Sequence, residues 1–394
     1  MDANDINSAG RQNAAQAMRD ARDAAQNIQD ARDTEQAIRD AALRLGYADA
    51  RPVTGHPFDV WRKQLTSVPL GQYMSFEHDP SKLTGWPLDE ITIWAAIAPT
   101  PPMADWPEGC GEIGGFYMCS EQQNKRRIAW EDAAAGLGYE IMRRAVLPER
   151  AAAIRAGLGV HGLNGLLITP EYGSFVNINI LLLHAAPPPG ARGPEYDLSA
   201  GCPGCVTNAD VGCAAGADAG AAVCTDGASV DADAGGGRCD ACVRACPTRA
   251  ISNKGVNAVI CLRNYMSRPE TLPEDDYPKM GRMIQGCDIC QRVCPANAAL
   301  ARRQPPADMA ECMKLETLLN GPDMAGMNKY MLSMYVNEKR ILSQAVLAAA
   351  NTGRADLLPL VEARIGDGDA ALDKMARWAS ERLKKRLQER LRKR

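Results

Sequence analysis

Two copies of one cysteine pattern carry the chemistry of this chain. Cys239-Asp-Ala-Cys242-Val-Arg-Ala-Cys246-Pro247 and Cys287-Asp-Ile-Cys290-Gln-Arg-Val-Cys294-Pro295 both read C-x-x-C-x-x-x-C-P. A two-residue gap lets two thiolates of one turn reach neighbouring irons of a 4Fe–4S cubane. The third Cys, followed by Pro, turns the chain away and in two-cluster ferredoxins ligates the other cluster. Crossing the ligands gives one complete set, Cys246, Cys261, Cys287 and Cys290. The second set, Cys239, Cys242 and Cys294, needs one more thiolate. Three residues before Cys239 stands Gly236, so the missing ligand lies upstream, in Cys202-Pro-Gly-Cys205. Cys202 ranks just ahead of Cys205, and Cys213 and Cys224 below both. Paired C-x-x-C elements also build tetrahedral zinc sites, but zinc leaves the added C-x-x-x-C-P of both copies unexplained. Cys110, Cys119 and Cys312 fall outside any ligand spacing and are expected to be core or surface thiols.

The totals frame this site. The chain has 394 residues, 14 of them Cys, with 45 basic and 48 acidic side chains. Such a length suggests two or three domains, and the near-neutral charge gives no global field toward nucleic acid or membrane. No basic and apolar leader opens the sequence, and no apolar run reaches the length of a membrane span. A cytoplasmic protein is expected, where disulfides are rare and clustered cysteines point to metal.

The expected fold class is α+β. Residues 1–45 form a helical low-complexity extension, with small apolar residues at Ala14, Met18, Ala21, Ala25 and Ile28 in helical spacing. An α/β domain follows over 46–190. Within it Ile91 to Ala98 is a buried strand stopped by the Pro-rich turn 99–102. Trp130 to Leu147 is expected as a helix interrupted near Gly136 and Gly138, and Glu149 to Ala156 as a helix ending at Gly157. Gly165 to Thr169 and Phe175 to His184 are two strands joined through Pro170 and Gly173. Residues 191–305 hold the ferredoxin-like domain, with a mobile Ala/Gly/Asp insertion over 206–238. A helical domain over 306–394 has amphipathic helices at Ile341–Ala350 and about 370–383, the pattern of a HEAT-like repeat. It ends in a basic tail, with eight Lys or Arg in the thirteen residues from Arg382 to Arg394.

With these segments in view, the chain resembles the epoxyqueuosine reductase family and its double-cluster relatives, which include corrinoid-dependent reductive dehalogenases. The resemblance rests on Glu149-Arg-Ala-Ala-Ala-Ile-Arg-Ala-Gly-Leu-Gly159, on Gly162-Leu-Asn-Gly-Leu-Leu-Ile-Thr-Pro-Glu-Tyr-Gly-Ser174, on Cys246-Pro-Thr-Arg-Ala-Ile251 and on Gly286 to Pro295. It covers about 130 to 380. It implies a corrinoid (cobalamin) between the α/β and ferredoxin-like domains, reduced through two 4Fe–4S clusters. It further implies reduction of the epoxide of a modified tRNA guanosine, or of a related small molecule. Electrons would come from a low-potential donor of the ferredoxin or flavodoxin type, and tRNA phosphates would meet the basic tail. The cofactor cavity would be lined by Gly157, Gly159, Gly162, Asn164, Thr169, Tyr172 and Ser174; in isolation these residues equally suit a tight helix-to-strand connection.

The chain departs from the family where proton chemistry is expected. Val160-His161 and Leu163 replace the usual Trp-Ile and Lys around the loop glycine. Arg143 holds the place of the aspartate thought to donate a proton, six residues before the Glu149-Arg150 pair, and a guanidinium is no acid at neutral pH. The upstream Arg-Asp-Tyr-His signature is absent, and His184 lies near the place of a missing Thr-Asp. His161 is the candidate catalytic group, as proton donor or as axial ligand to cobalt, against a structural role for a loop histidine. Glu149 and Arg150 are expected to pair locally at a helix start. Besides a reductase, two readings remain: a reductive-dehalogenase-like enzyme, and a non-catalytic carrier or reductive activator of a separate corrinoid protein.

Overall fold

The structure is a computed structural model that describes residues 33, 35–65, 77–193, 239–252 and 255–392. The expected helix around residues 14–28, the insertion 206–238, and Cys202, Cys205, Cys213 and Cys224 lie outside the described residues.

Helix and sheet are mixed as the sequence predicts, but the main sheet is antiparallel throughout. Its four strands run in the order Asp49–Thr54, Ile91–Pro99, Val176–His184, Ile141–Met142. The β-branched run of Ile91–Pro99 is buried along nearly its whole length because both faces of the strand are covered. Period-two alternation divides its side chains between two cores. Ile91, Ile93, Ala95 and Ile97 join Ile178, Ile180 and Leu182 in packing against Ala151 to Ile154 of the helix Glu149–Arg155. Trp94, Ala96 and Ala98 face the other way, onto Ile38, Ala41 and Ala42 of a helix at residues 35–44 and onto Trp130 and Ala134.

Two local expectations change. The helix expected over Trp130–Leu147 begins earlier and stops sooner, at Ser120–Gly136, because Gly138 takes φ +92° and turns the chain out of helical geometry. The residues beyond it supply the edge strand Ile141–Met142 instead. The segment Gly165–Thr169 does not join the main sheet; Leu167–Ile168 pairs with Val160–His161 in a separate ribbon. By contrast, the helix Glu149–Arg155 ends as expected at Gly157, φ +69°. Its last residue, Arg155, is buried and donates to the carbonyls of Thr54 (3.3 Å), His56 (2.7 Å) and Pro57 (3.0 Å). The guanidinium also lies 4.0 Å from the centre of the Phe58 ring, so one cation fixes the loop after the first strand.

A third core joins distant parts of the chain. Met103, Trp106, Ile113 and Tyr117 come from the middle of the span expected as one α/β domain. They pack with Leu262, Tyr265, Tyr277 and Ile284, and with the C-terminal helices. Those helices are well delimited. Glu338–Thr352 is capped by Asn337, which accepts from the Arg340 amide, and is closed by Gly353 at φ +73°. The last helix runs from Ala370 to Arg392, past the expected end at 383. Among the described residues no helix is long and apolar enough to cross a membrane.

Replacing Arg155 by Leu takes the donor from three carbonyls, those of Thr54, His56 and Pro57. The expected loss is about 2–4 kcal/mol, seen as an earlier midpoint in anaerobic urea unfolding; an unmoved midpoint would show that the anchor is dispensable.

Candidate metal centres and adjoining cleft

Each C-x-x-C pair wraps one short helix, Ala241–Ala245 in the first motif and Ile289–Arg292 in the second, and the two helices pack together. Spacing of three along a helical turn places both thiols on one side. Cys246 and Cys294 then take extended backbone (ψ 112° and 124°) just before Pro247 and Pro295, which carries each third thiol away from its own pair.

The described thiols gather around these two helices. Cys239, Cys242 and Cys294 line one cavity, together with Gly162, Leu163, Asn164, Ile168 and Pro295. The thiols of Cys246, Cys261, Cys287 and Cys290 lie close enough to repel as anions, and Cys242 of the neighbouring group adds to the repulsion on Cys290. Burial, reinforced by Cys261 and Cys246, pushes the Cys287 thiol up to about 12, and Cys290 rises further for the same reasons. Buried thiolates so crowded demand a cationic partner, which a 4Fe–4S core provides. Backbone amides already point at the sulfurs: Ala250 donates to Cys246 Sγ at 3.2 Å, Arg263 and Asn264 donate to Cys261, and Ile289 to Cys287. Such bonds tune a cluster's potential. Among the described residues, no His, Cys, Asp and Glu side chains form a group suited to a single metal ion. Cys110, Cys119 and Cys312 are buried free thiols away from both sets.

The turn expected to line a cofactor instead locks the sheet to the second cysteine motif. Ser174 is buried. Its amide donates to Asn297 Oδ1 (2.8 Å), and its hydroxyl accepts from Asn297 Nδ2 (2.9 Å). Gln291 Nε2 reaches the Ser174 carbonyl at 2.9 Å. Thr169, also buried, closes the turn by donating to the Gly173 carbonyl and accepting from the Tyr172 amide, both at 3.1 Å. A Cβ at Gly173, which sits at φ +51°, would fall 1.9 Å from Asn297 Oδ1, so only glycine permits this approach. Tyr172 is partly exposed at the turn. Asn297 and Gln291 carried no signal of their own in the sequence, since their partners are more than a hundred residues away.

The glycine loop divides similarly. Gly157 faces the sheet, its carbonyl accepting from Arg51 (2.9 Å) and its α-carbon lying against Arg192. Gly159 lies against the Ile168 carbonyl. Gly162 and Asn164 reach the thiol cavity, and Asn164 Oδ1 shapes the turn by accepting from the Leu166 amide at 3.2 Å.

His161 stands at the mouth of this loop, edge-on to Trp61 at 5.4 Å. Burial, and then the charge of Arg150, depress its pKa to about 4, so the ring is neutral at pH 7 and cannot serve as an imidazolium acid. Its Nδ1 is buried and has no hydrogen-bond partner among the described residues. Arg150 donates to the Gly165 carbonyl and lies 5.7 Å from the centre of the Trp61 ring. Instead of a simple surface pair with Arg150, Glu149 keeps solvent exposure at the start of its helix although protein surrounds its carboxyl. Burial lifts its carboxyl to about 7, against the lowering influence of Arg150 and Arg127. Arg143, where the resemblance places an acid, is tied to Asp132 at 2.7 Å and to Glu131 at 3.6 Å. His184 is far from this chemistry in character: it bridges Glu140 (2.8 Å) and Glu90 (2.9 Å) at the surface and stacks on Trp86.

A histidine depressed in the folded state binds its proton only on unfolding. The stability it supports is present above pH 6.5 and is lost as pH falls toward 4. Relative to His161→Phe, the unmodified chain should therefore lose thermal stability across that window; parallel curves would show that the ring is not buried neutral.

Comparison with known proteins agrees with this geometry. Residues 236–297 match the model of a 4Fe-4S double cluster binding domain. The epoxyqueuosine reductase of Lactococcus garvieae is 29% identical over 67% of this chain and 67% of its own length. That of Bacillus anthracis is 27% identical over 59% of this chain. The chain thus spans two thirds of the first relative's length and about half of the second's, 53%. A crystal structure of epoxyqueuosine reductase with an epoxyqueuosine-modified tRNA stem loop superposes with a TM-score of 0.66 at 21% identity, over 90% of this chain and 92% of that one. In sequence and in fold the chain is similar to epoxyqueuosine reductases, and its residues 236–297 match a 4Fe-4S double cluster binding domain.

Proposed function

We propose that this chain is an iron–sulfur oxidoreductase that passes electrons through two 4Fe–4S clusters to a corrinoid and so reduces the epoxide of epoxyqueuosine in tRNA. The observation that carries the proposal is the gathering of seven thiols around two packed helices, with Cys239, Cys242 and Cys294 abutting the glycine loop through Gly162, Leu163 and Asn164. A short path from cluster to cleft is what a relay of single electrons requires.

The residues around the cleft suit a corrinoid in two respects. The unpartnered Nδ1 of His161 is a neutral nitrogen donor, the form that binds metal. Gly162 and Asn164 form a side-chain-poor edge beside it. When bound, a corrinoid would supply a strongly reducing cobalt centre; His161, Gly162 and Asn164 are the residues that would hold it. The fourth ligand of the first cluster is assigned to Cys202, ahead of Cys205. A low-potential ferredoxin or flavodoxin is the proposed donor, the α/β span 46–190 the cofactor and substrate domain, and 306–394 a HEAT-like end.

Binding of tRNA is supported by the related structure that holds a tRNA stem loop and by the last helix. Lys384 is paired with Glu362 at 2.6 Å, while most of the remaining basic side chains of Arg382–Arg392 are exposed. Phosphate would meet these cations in a salt-dependent way.

Prepared anaerobically, the protein should hold about eight irons per chain and lose about half on Cys239→Ser or Cys287→Ser. Retention of full iron by both variants, or replacement of iron by zinc, would remove the relay. With corrinoid and a low-potential donor it should convert epoxyqueuosine in a tRNA stem loop, and restore queuosine to cells lacking the reductase; intact clusters with no conversion would leave the electron-carrier reading. Replacing Lys385, Arg386, Arg390 and Arg392 by Gln should weaken binding to that stem loop and flatten its dependence on salt, and unchanged affinity would place tRNA elsewhere.

A further inference from the structure

A relay of single electrons needs an entrance as well as an exit. The thiol cavity lined by Cys239, Cys242 and Cys294 faces the glycine loop. A second opening lies toward the C-terminal end of the short helix Ala241–Ala245. It is a groove of about 780 Å³ whose lining includes Val243, Arg244, Cys246, Pro247, Arg249 and Ile251. The two openings share no residue. Cys246 ties the groove to the metal centres, because Cys261, Cys287 and Cys290 all feel its charge.

The lining has a consistent chemistry. Val243, Pro247 and Ile251 are apolar, and two exposed cations, Arg244 and Arg249, stand among them. Among the described residues no carboxylate lines the groove. Arg244 pairs with Asp240 along its own helical turn. Arg249 has no ion pair, side-chain hydrogen bond or ring partner among the described residues. Its backbone is unusual as well. After Pro247 the chain turns tightly, the Arg249 amide donating to the Cys246 carbonyl at 3.0 Å, and Arg249 sits at φ +55°. Glycine takes that conformation freely, whereas a residue with a Cβ is strained in it. The fold thus holds an uncommitted guanidinium where glycine would fit better, three residues from a thiol of the metal centres.

From this placement we infer that the groove is the docking site of the electron donor, and that the donor is a flavodoxin-type protein. The inference rests on the reading of the chain as an iron–sulfur oxidoreductase. A flavodoxin presents the apolar edge of its flavin within a rim of carboxylates. The edge matches the floor of Val243, Pro247 and Ile251, and the rim matches the two arginines. Opposite charges across such a contact guide the encounter and fix its register. In the step itself the anionic reduced flavin loses one electron and keeps its proton. The oxidised cluster held through Cys246 gains that electron, and no bond is made or broken. Electrons enter at Cys246 and leave on the side of Cys239, Cys242 and Cys294.

The test uses the full chain with both clusters loaded, mixed anaerobically with fully reduced flavodoxin and followed by bleaching of the cluster absorbance. Arg249→Gly removes the charge and relieves the backbone, so iron content and thermal midpoint should hold. Its second-order rate with flavodoxin should fall about 10-fold at low salt, and the gap should close as ionic strength rises. Arg249→Lys should recover most of the rate, and Lys339→Glu, outside the groove, should match the parent. Dithionite should reduce all four proteins alike. Hydrogen exchange gives a readout without electron transfer: residues 243–252 should gain protection when oxidised flavodoxin joins the parent, and not when it joins the Gly variant. Equal rates for parent and Gly variant at low salt overturn the assignment alone. So does a parent that dithionite or a ferredoxin reduces and flavodoxin does not. Full protection of 243–252 in the free protein would mean that the chain itself fills the groove, which also overturns it. Clusters that accept no electron even from dithionite overturn the functional reading and this assignment together.

Discussion

Everything in this molecule is arranged around the difficulty of burying anionic sulfur. Seven described cysteines gather around two short helices, five of them close enough to repel. Such a cluster of charges is tolerable only when a metal core neutralises it and amides point inward. The chain satisfies both demands with little material. A single helical turn presents two thiols, a Pro-terminated extension sends the third across to the neighbouring group, and backbone N–H groups at residues 250, 263, 264 and 289 complete the shell. Because each motif serves both groups, neither can be assembled without the other, and the spacing between them is fixed by the two short helices that touch.

From that fixed pair the remaining parts follow in order. The Thr169–Ser174 turn is held against the second motif by Asn297 and Gln291, so the sheet cannot drift relative to the thiols. The same sheet buries one face of the helix Glu149–Arg155, which ends in the glycine loop. The placing of the sheet against the thiols is thus set by short amide side chains bonded to backbone and by a close glycine contact.

How much of this was legible beforehand depended on whether the information is local. The thiol sets were, since cysteine spacing and the following proline dictate which sulfur can reach which group. The central strands were, because β-branched runs leave little choice. The misread helix beyond Trp130 shows the limit: alanines at 133–135 favour continuation, but Gly138 adopts a left-handed conformation and the sheet edge then captures Ile141 and Met142. The roles of Thr169 and Ser174 were not readable at all, because their partners lie 123 residues away in the case of Asn297. Nor was the separation of the adjacent Glu149 and Arg150: only folding turns Arg150 toward the Gly165 carbonyl.

The third core has a bearing on biogenesis. Met103, Trp106, Ile113 and Tyr117 emerge from the ribosome long before the helices that cover them, which begin past residue 260. During synthesis these apolar side chains must wait for the last third of the polypeptide, and so must the strand Glu112–Ile113, whose neighbour is Met283–Gln285. Iron delivery is therefore a late event: the scaffold that encloses the metal closes only once the carboxyl-terminal helices have been made and have docked.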